Sequence, residues 1–361
     1  MALHDFLGRT ISEWMEGGGP HSDIVISSRI RLARNIASLP LPHILTPDNG
    51  REVLAIVRKA MDDINKRGHL GKLTFYAYPD LNPLERQVMV EKHLASPALG
   101  QGCPLCGVIV NESGTISIMI NEEDHLRIQC LQSGLQLEEA WRQCSALDDS
   151  LEETIDYAFQ EHYGYLTACP TNVGTGLRGS IMIHLPGLVL TGQAGRILNT
   201  IGQLGLAVRG FYGEGSDAIG NIFQISNQVT LGYEEADMIG NLMSVTGQIM
   251  EQERAAREAL CANARGSMED RIWRSFGTLS HARIIQSEEA MQLLSDVRLG
   301  SDTQILPPIP TRILNELLVV TRPAYLQWLA GRNLNPTERD WVRAEIIRQK
   351  LCNNSDTHHT E

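Results

Sequence analysis

The chain has 361 residues, of which 42% are hydrophobic and 20% are charged, as in globular proteins with a sizeable core. No apolar run approaches the ~18–20 residues of a membrane span, and residues 1–10 carry charges where a signal peptide has an apolar stretch. Asp and Glu outnumber Lys and Arg by 43 to 31, and the resulting net charge of −12 argues against nucleic-acid binding and favours cationic partners. We expect a cytoplasmic protein that does not enter a membrane.

The first two thirds of the chain alternate patterns typical of strands and of helices. Short apolar runs between Gly-rich or Asn-rich turns predict strands, whereas apolar residues at helical spacing predict helices. Predicted strands occupy 73–79, two runs within 107–121, 179–185, 206–211 and 221–226. Predicted helices occupy 51–66, 83–92, a segment beginning near Leu126, 137–162 and 194–204. This mixture indicates an α+β fold in which helices back an antiparallel sheet.

The pattern changes near residue 234, where a long helix over 234–265 is predicted and proline-marked helices follow it. No strand pattern is present beyond about residue 230. We therefore predict an all-helical C-terminal domain after the α+β domain. The predicted organisation is an N-terminal arm over 1–22, the α+β domain over 23–254, the helical domain over 260–352 and a disordered tail over 353–361.

Seven cysteines in a chain of this length favour free thiols over a disulfide framework. Cys103 and Cys106 form a single CxxC pair, and without a second pair they make at most half of a zinc site. We predict no metal ligand in the chain.

Arginines recur in strands and Gly-rich turns. The chain lacks the P-loop and the HRD and DFG motifs that mark two classes of phosphate-transferring enzymes. Each arginine alone would most often be a solvated surface charge. Several planar guanidinium groups that converge would instead neutralise a polyphosphate without a P-loop lysine. The arginines in question are Arg29, Arg31, Arg127, Arg178 and Arg209.

Four segments carry a family resemblance, in this order: SSRIR at 27–31, NEEDHLR at 121–127, CPTNVGTGLR at 169–178 and RGFYGEGS at 209–216. Together they resemble the catalytic domain of the phosphagen (guanidino) kinases over residues 23–254. Only some twenty residues precede this domain, and a helical extension follows it. That combination resembles the bacterial branch of the family that phosphorylates arginine side chains in proteins. The resemblance implies a kinase that uses ATP with Mg2+, held mainly by phosphates and waters.

The resemblance also implies catalytic residues. Because a guanidinium has a pKa above about 12, it must be oriented and relieved of a proton as its bond to phosphorus forms, and carboxylates do both. Glu123 is placed as the base, Glu214 as the second carboxylate and Cys169 as a reactive cysteine beside the guanidinium. Each segment also has a structural alternative. Residues 122–124 fit the acidic first turn of a helix, and for Asp124 we adopt this interpretation. For Cys169 the alternative is a buried structural thiol.

The nucleotide site implied by the resemblance includes His93, for which a surface histidine is the alternative. The chain departs from the family at Met182, where small-substrate members have a histidine, and His184 follows two residues later. The implied ATP-binding residues are Ser27, Ser28, Arg29, Ile30, Arg31, His93, Arg127, Arg178, Gly179, Ser180, Ile181, Met182, Arg209, Gly210, Phe211, Tyr212 and Gly213.

The motif RDWVRA at 339–344 favours, from spacing alone, a charge set on an exposed helix face. The resemblance instead implies an allosteric pocket for phosphoarginine, formed by Arg339, Asp340, Arg343 and Ala344. It further implies a homo-oligomer with a role in stress response and protein degradation. Its implied partners are a heat-shock repressor and Clp protease clients as substrates and a zinc-containing activator. Two other functions stay open: a kinase for free arginine or another small guanidine, and a phosphoarginine-binding adaptor without catalysis.

Overall fold

The computed structural model describes residues 3–68, 70–100, 103–210 and 219–352. Its strands are β1 Val25–Arg34, β2 Leu73–Ala77, β3 Gly107–Asn111, β4 Ile116–Ile120, β5 Leu126–Ser133, β6 Phe159–Gln160, β7 Gly164–Tyr165, β8 Leu177–His184, β9 Leu206–Gly210 and β10 Ile222–Asn227. Within the described residues, eight strands form one antiparallel sheet in the order β2-β3-β4-β5-β1-β8-β10-β9. Strands β6 and β7 form a separate hairpin.

Helices surround the sheet, and several begin at side-chain caps that the sequence supplies. The Thr46 hydroxyl accepts the Asn49 N–H before α2, and Gly68 ends that helix with φ of 74°. Asn82 and Glu85 form a capping box at the start of α3. The helices are α1 Leu3–Gly8, α2 Pro47–Arg67, α3 Pro83–Glu91, α4 Pro97–Gly100, α5 Leu137–Glu152, α6 Pro186–Leu190, α7 Ala194–Gln203, α8 Glu235–Asn263, α9 Arg265–His281, α10 Ser287–Asp302, α11 Thr311–Val320, α12 Pro323–Ala330 and α13 Pro336–Cys352.

The two faces of the sheet pack against different helices, because successive residues of a strand point to opposite faces. In β1, Ile30 and Leu32 join an apolar core that includes residues of α2, α5 and α8. On the other face, Leu131 of β5 and Met182 of β8 join a second core with residues of α9 to α13. The C-terminal helices therefore cover part of the face to which the β1 arginines point.

The predicted α+β fold with a helical C-terminal region is confirmed, whereas one predicted helix is wrong and another is too long. The segment at Leu126 is strand β5, in which Leu126, Ile128 and Cys130 are buried on one face, a period of two that sequence inspection missed. The helix predicted over 137–162 ends at Glu152 and gives way to β6 and β7. The helix predicted over 234–265 is α8, and a break at Ala264 (φ −135°) separates it from α9.

Residues 3–22, predicted as an arm, pack against the second core. Phe6 and Leu7 of α1 are buried there, as are Trp14 and Met15 of a short 3-10 helix. The predicted tail over 353–361 lies outside the described residues.

Cys103 and Cys106 are joined by a disulfide, which differs from the predicted free thiols. In the described part of the chain no group of three or more His, Cys, Asp or Glu side chains is arranged to hold a metal ion. None of the described helices has both the length and the apolar character to cross a membrane.

Candidate functional site

Strand register brings the five predicted arginines to one face of the sheet. Residues directly opposite each other on paired strands point to the same face. Arg31 of β1 lies opposite Arg178 of β8. On the neighbouring strand β5, Arg127 lies opposite Ala33 of β1. The set is completed on β9 by Arg209, which is opposite Gln224 of β10. We call Arg29, Arg31, Arg127, Arg178 and Arg209 the arginine cluster.

The arginine cluster concentrates positive charge in a partly buried place. Arg29 donates from Nε to the Ser180 hydroxyl (3.2 Å) and from Nη2 to the Gln224 side-chain oxygen (2.8 Å). Burial, together with Arg178 and Arg127, lowers the pKa of Arg29 to about 10. Burial and the neighbouring arginines also lower the pKa of Arg31. Positive charges held this close are typical of a site for a multiply charged anion.

One donor in the arginine cluster is ready for a ligand. Among the described residues, Arg31 Nε is shielded from solvent and has no hydrogen-bond partner. A buried unsatisfied donor of this kind is costly unless a ligand accepts its hydrogen bond. A phosphate oxygen would meet that requirement.

The other residues predicted to bind ATP divide between the two faces of the sheet. Ser27 and Met182 are opposite each other in the register, and Ser180 is opposite Arg29, so these three share the arginine face. Ile30 and Ile181 belong to the core on the other face. The Ser28 hydroxyl also leaves the arginine face, since it donates to Gly134 O (2.8 Å) and accepts the Gln136 N–H (3.0 Å). Gly179 and Gly210 also belong to the opposite face, because they pair with Ile30 and Phe223 in the strand register.

His93 is partly buried beside the arginine cluster, and its Nε2 is shielded from solvent. Its backbone has a positive φ of 60°, and its carbonyl accepts from Gln129 Nε2 (2.7 Å). The Trp14 ring meets its imidazole edge to face, with ring centres 5.6 Å apart. Burial, reinforced by Arg29 and Arg322, lowers the pKa of His93 to about 3. The imidazole is therefore neutral at physiological pH.

Two carboxylates meet the cluster at Arg127. Its Nη1 donates to Glu122 Oε2 (2.8 Å) and its Nη2 to Glu123 Oε2 (2.9 Å). The Glu122 side chain is 8% exposed, whereas that of Glu123 is 40% exposed. Glu123 therefore lies at the open edge of the cluster, where a group from solution can reach it.

Contrary to the prediction, Asp124 does not lie in the first turn of a helix. Residues 121–125 form the turn between β4 and β5, so a strand follows it directly. Its Oδ1 accepts from the Ala168 N–H (2.7 Å) and from Asn35 Nδ2 (2.7 Å). Burial raises the pKa of this carboxyl. Asp124 thus joins the turn that carries Glu123 to the segment that leads into Cys169. Sequence inspection missed this role, because its only signal was an acidic residue adjacent to Glu123.

The segment 169–178 leads from the neighbourhood of Asp124 to the arginine cluster. Cys169 is half-buried at its start, and the thiol lies 3.0 Å from the Thr171 hydroxyl. Arg178 ends the segment within β8. Cys169 and Glu123 are thereby brought to the same end of the sheet through Asp124. Of the remaining predicted site residues, Phe211, Tyr212, Gly213 and Glu214 lie outside the described residues.

The four residues of the RDWVRA motif that were predicted to bind phosphoarginine lie on α13 and differ in exposure. Arg343 is 1% exposed and donates to Asp340 Oδ1 (2.5 Å), Thr321 O (2.9 Å) and Ile285 O (2.8 Å). Ala344 is buried, whereas Arg339 is partly buried and its Nη1 lies 3.4 Å from Leu334 O. An exposed charge set therefore does not describe Arg343, which ties α13 to the α11–α12 turn and to the segment before α10.

His184, noted beside Met182, is fully buried and lies 2.8 Å from the Ser295 hydroxyl of α10. Burial lowers the pKa of its imidazole well below the ordinary value. The side chain joins β8 to α10.

The fold and the cluster define an enzyme class, the phosphagen kinases. A family model described as "ATP:guanido phosphotransferase, C-terminal catalytic domain" matches residues 52–256. A solved lombricine kinase is similar with a TM-score of 0.55 and 25% identity, covering 69% of this chain and 70% of that one. The duplicated taurocyamine kinase of Schistosoma mansoni shares the fold with a TM-score of 0.58 and 22% identity, covering 69% of this chain and 36% of that one. The molecule is a phosphotransferase with ATP as a substrate.

The particular family is defined by the whole chain. A model described as "Protein-arginine kinase McsB C-terminal domain" matches residues 265–361. The protein-arginine kinase of Pelotomaculum thermopropionicum is 51% identical over 353 residues, covering 98% of this chain and 99% of that protein. Its counterpart in Bacillus subtilis is 50% identical over 353 residues, covering 97% and 96%. The chain belongs to the protein-arginine kinase family, and the predicted family and enzyme class are confirmed.

Proposed function

We propose that the chain transfers the γ-phosphoryl group of ATP to arginine side chains of other proteins. The observation that carries this proposal is the continuity of the site. A partly buried arginine cluster on one sheet face ends at Arg127, which holds the half-exposed Glu123. An anion site thus adjoins a carboxylate suited to a guanidinium.

In the proposed reaction, the arginine cluster binds the phosphates and neutralises charge as the γ-phosphoryl group is transferred. A guanidinium nitrogen of the acceptor forms the new bond to phosphorus while the bond to the β–γ bridging oxygen breaks and ADP leaves. Glu123 takes the proton that the nitrogen loses. Glu214 is assigned as the second carboxylate facing the acceptor, and Cys169 as a polar neighbour that forms no covalent intermediate. Mg2+ enters as part of the MgATP substrate.

A protein-borne acceptor is favoured over free arginine by the openness of the acceptor side. Glu123 is 40% exposed and Cys169 is half-buried, so both are reachable by a side chain on a large partner. The relatives that are 50–51% identical to this chain are named protein-arginine kinases, so their names give a protein as the substrate. Several further properties stay predictions that rest on the family resemblance. They are a cytoplasmic setting, a role in stress response, the repressor and Clp-client substrates, a zinc-containing activator, homo-oligomerisation and the phosphoarginine pocket.

The test compares the wild type with Glu123→Gln on ATP and an arginine-rich protein. Mass spectrometry under non-acidic conditions should find phosphate on arginine, and the variant should lose about 100-fold or more in kcat. Glu139→Gln is the matched control, because the Glu139 side chain is 41% exposed and also pairs with an arginine, Arg142. We expect it to retain full activity.

Each alternative has its own result. Acid-labile phosphate on free arginine but never on protein would establish the small-guanidine kinase. Binding of phosphoarginine without transfer under any condition would establish the adaptor. Full activity of Glu123→Gln would refute the assignment of the base.

A further inference from the structure

A cavity of about 520 Å3 opens beside the β6–β7 hairpin and contains none of the residues assigned above to ATP or to the acceptor guanidinium. Its volume lies within the range of binding sites for small groups. Five of its lining side chains are aromatic: Trp141, Phe159, Tyr163, Tyr165 and Tyr233. We call this cavity the aromatic groove.

The aromatic groove presents rings to solvent instead of burying them. Phe159 is 57% exposed, Tyr163 is 46% exposed and Tyr233 is 58% exposed. Large side chains that cluster in the open around a cavity are typical of a surface that receives a partner. Scattered single apolar side chains would carry no such meaning.

The electrostatics of the aromatic groove select a cation. Glu234 and Glu235 line it together with His162, and its described lining includes no lysine or arginine. Glu235 is half-buried and has no ion-pair partner among the described residues. Burial raises the pKa of its carboxyl, while the nearby Arg34 acts in the opposite direction. Aromatic faces attract cations because the ring quadrupole is negative above the plane. Rings and carboxylates therefore favour the same kind of ligand.

One ring of the aromatic groove already binds a guanidinium inside the protein. The Arg34 guanidinium carbon lies 3.5 Å from the centre of the Tyr165 ring. Arg34 is buried and forms an ion pair with Asp148 (2.6 Å). The chain thus builds an arginine–tyrosine stack into one wall of the groove, which shows that such a stack fits the local geometry.

The aromatic groove adjoins the acceptor side of the catalytic site. Its lining residue Thr230 donates from Oγ1 to Thr171 O (2.9 Å) and to Val173 O (2.7 Å). Its lining residue Gly174 exchanges backbone hydrogen bonds with Tyr165. The groove wall is therefore bonded to the segment that begins at Cys169. Since Thr171 is two residues from Cys169, we expect one extended substrate segment, which advances ~3.3 Å per residue, to reach both sites.

We propose that the aromatic groove binds a second cationic side chain, arginine or lysine, carried by the protein substrate a few residues from the arginine that is phosphorylated. This proposal rests on the proposed function, since it defines which substrates that activity prefers. The net charge of −12 adds a long-range attraction for the same basic segments. The enzyme would therefore prefer protein substrates with two basic residues a few positions apart over substrates with a single arginine.

The test uses the full chain and labelled peptides that carry one target arginine, with a second arginine placed two to eight residues away or replaced by glutamine. Binding is measured by fluorescence anisotropy, and phosphorylation by KM and kcat. We expect the dibasic peptide to have a KM about 5–10-fold lower at one favoured spacing, as for a cation–π contact joined to a carboxylate. Glu235→Gln and Tyr233→Ala should abolish this preference and leave kcat for the single-arginine peptide unchanged.

Two exposed residues outside the groove provide matched controls, Glu251→Gln on α8 and Trp273→Ala on α9. Both should retain the preference. Equal affinity of the wild type for both peptides would overturn the groove proposal while arginine phosphorylation stands. Absence of phosphorylation with selective dibasic binding intact would overturn the proposed function and support the groove. Groove variants that change the oligomer size but keep the peptide preference would identify a contact between copies of the chain and refute the proposal.

Discussion

Arginines of the cluster are held at a cost in stability, because like charges lie close together in partly buried surroundings. Burial and the neighbouring Arg29, Arg127 and Arg178 all lower the pKa of Arg31. Keeping positive charge at such a place favours anion binding over the stability of the empty protein.

Arg31→Met should therefore separate stability from binding. We expect the free energy of unfolding without nucleotide to rise by about 1 kcal/mol, because replacing a buried charge by an apolar side chain removes repulsion and desolvation. ATP, which should raise the melting temperature of the wild type, should have no effect on the variant. Differential scanning fluorimetry with and without ATP measures both effects. The exposed Arg196 offers the control Arg196→Met, which should leave the ATP response intact; an equal ATP response in Arg31→Met would contradict the assignment.

His93 makes stability depend on pH. Its pKa is about 3 in the folded protein, mainly because it is buried, against about 6.5 for a free imidazole. Between these values the unfolded chain binds a proton that the native protein does not. The stabilisation present above about pH 6.5 is thus lost as the pH falls, by about 1.4 kcal/mol per pH unit.

His93→Gln should lose less stability than the wild type when the pH is lowered from about 7.5 to about 5. Glu91 acts in the opposite direction, because burial raises the pKa of its carboxyl to about 7, so falling pH favours the native state through that group. The measurement is therefore the difference between variant and wild type in urea unfolding at the two pH values. His43 is exposed, and His43→Gln should follow the wild type; the same slope in His93→Gln would show that His93 is protonated in the native protein.

At the scale of elements, the β4–β5 turn and the segment 169–178 are joined by one buried carboxylate. Asp124 accepts from the Ala168 N–H and from Asn35, and these bonds hold Cys169 near Glu123. The bond to Ala168 connects two segments that are 44 residues apart in the chain.

Asp124→Ala should lower kcat about 10-fold or more while KM for ATP stays within about twofold, since the acceptor side moves and the arginine cluster does not. Stability should fall by about 1–3 kcal/mol, because two donors lose their acceptor. Asp124→Asn keeps an oxygen for both donors and should restore most of the activity. Steady-state kinetics and urea unfolding test the pair; a tenfold rise in KM for ATP with kcat unchanged would instead place Asp124 in nucleotide binding.

At the scale of the whole molecule, the sheet is shared between two cores. Leu131 and Met182, on the arginine face, pack with residues of the C-terminal helices in the second core. Glu91, at the end of α3, accepts the backbone N–H groups of Ala324 and Tyr325 at the start of α12. The helices beyond residue 264 are therefore part of what shapes the arginine face.

Leu317→Ala should destabilise the entire molecule. Leu317 of α11 is fully buried in the second core, so the loss should be about 2–5 kcal/mol in a single unfolding transition. Leu329→Ala is the control, because Leu329 of α12 is 44% exposed and should change stability by less than about 0.5 kcal/mol. Circular dichroism and ATP binding should be lost together on heating Leu317→Ala. Retention of ATP binding after the helices melt would show that the sheet folds without them.

Local sequence determined much of this protein. Short apolar runs between turns and apolar residues at helical spacing predicted most elements, and the motifs at 27–31 and 169–178 identified arginines of the cluster and the cysteine. These features were accessible because they depend on neighbours in the chain and on the chemistry of single side chains. The misassigned helix at Leu126 shows the limit, because a short apolar run fits either period until its strand partners are known.

Tertiary structure alone decided the rest. Register between strands far apart in the chain placed Arg31 opposite Arg178, and long-range hydrogen bonds assigned Asp124 to the cysteine segment. The aromatic groove joins residues 141, 159–165 and 230–236, whose common surface no local pattern reveals. Periodicity and composition describe each segment separately, whereas a binding site requires distances between segments, and only packing of the whole chain sets those distances.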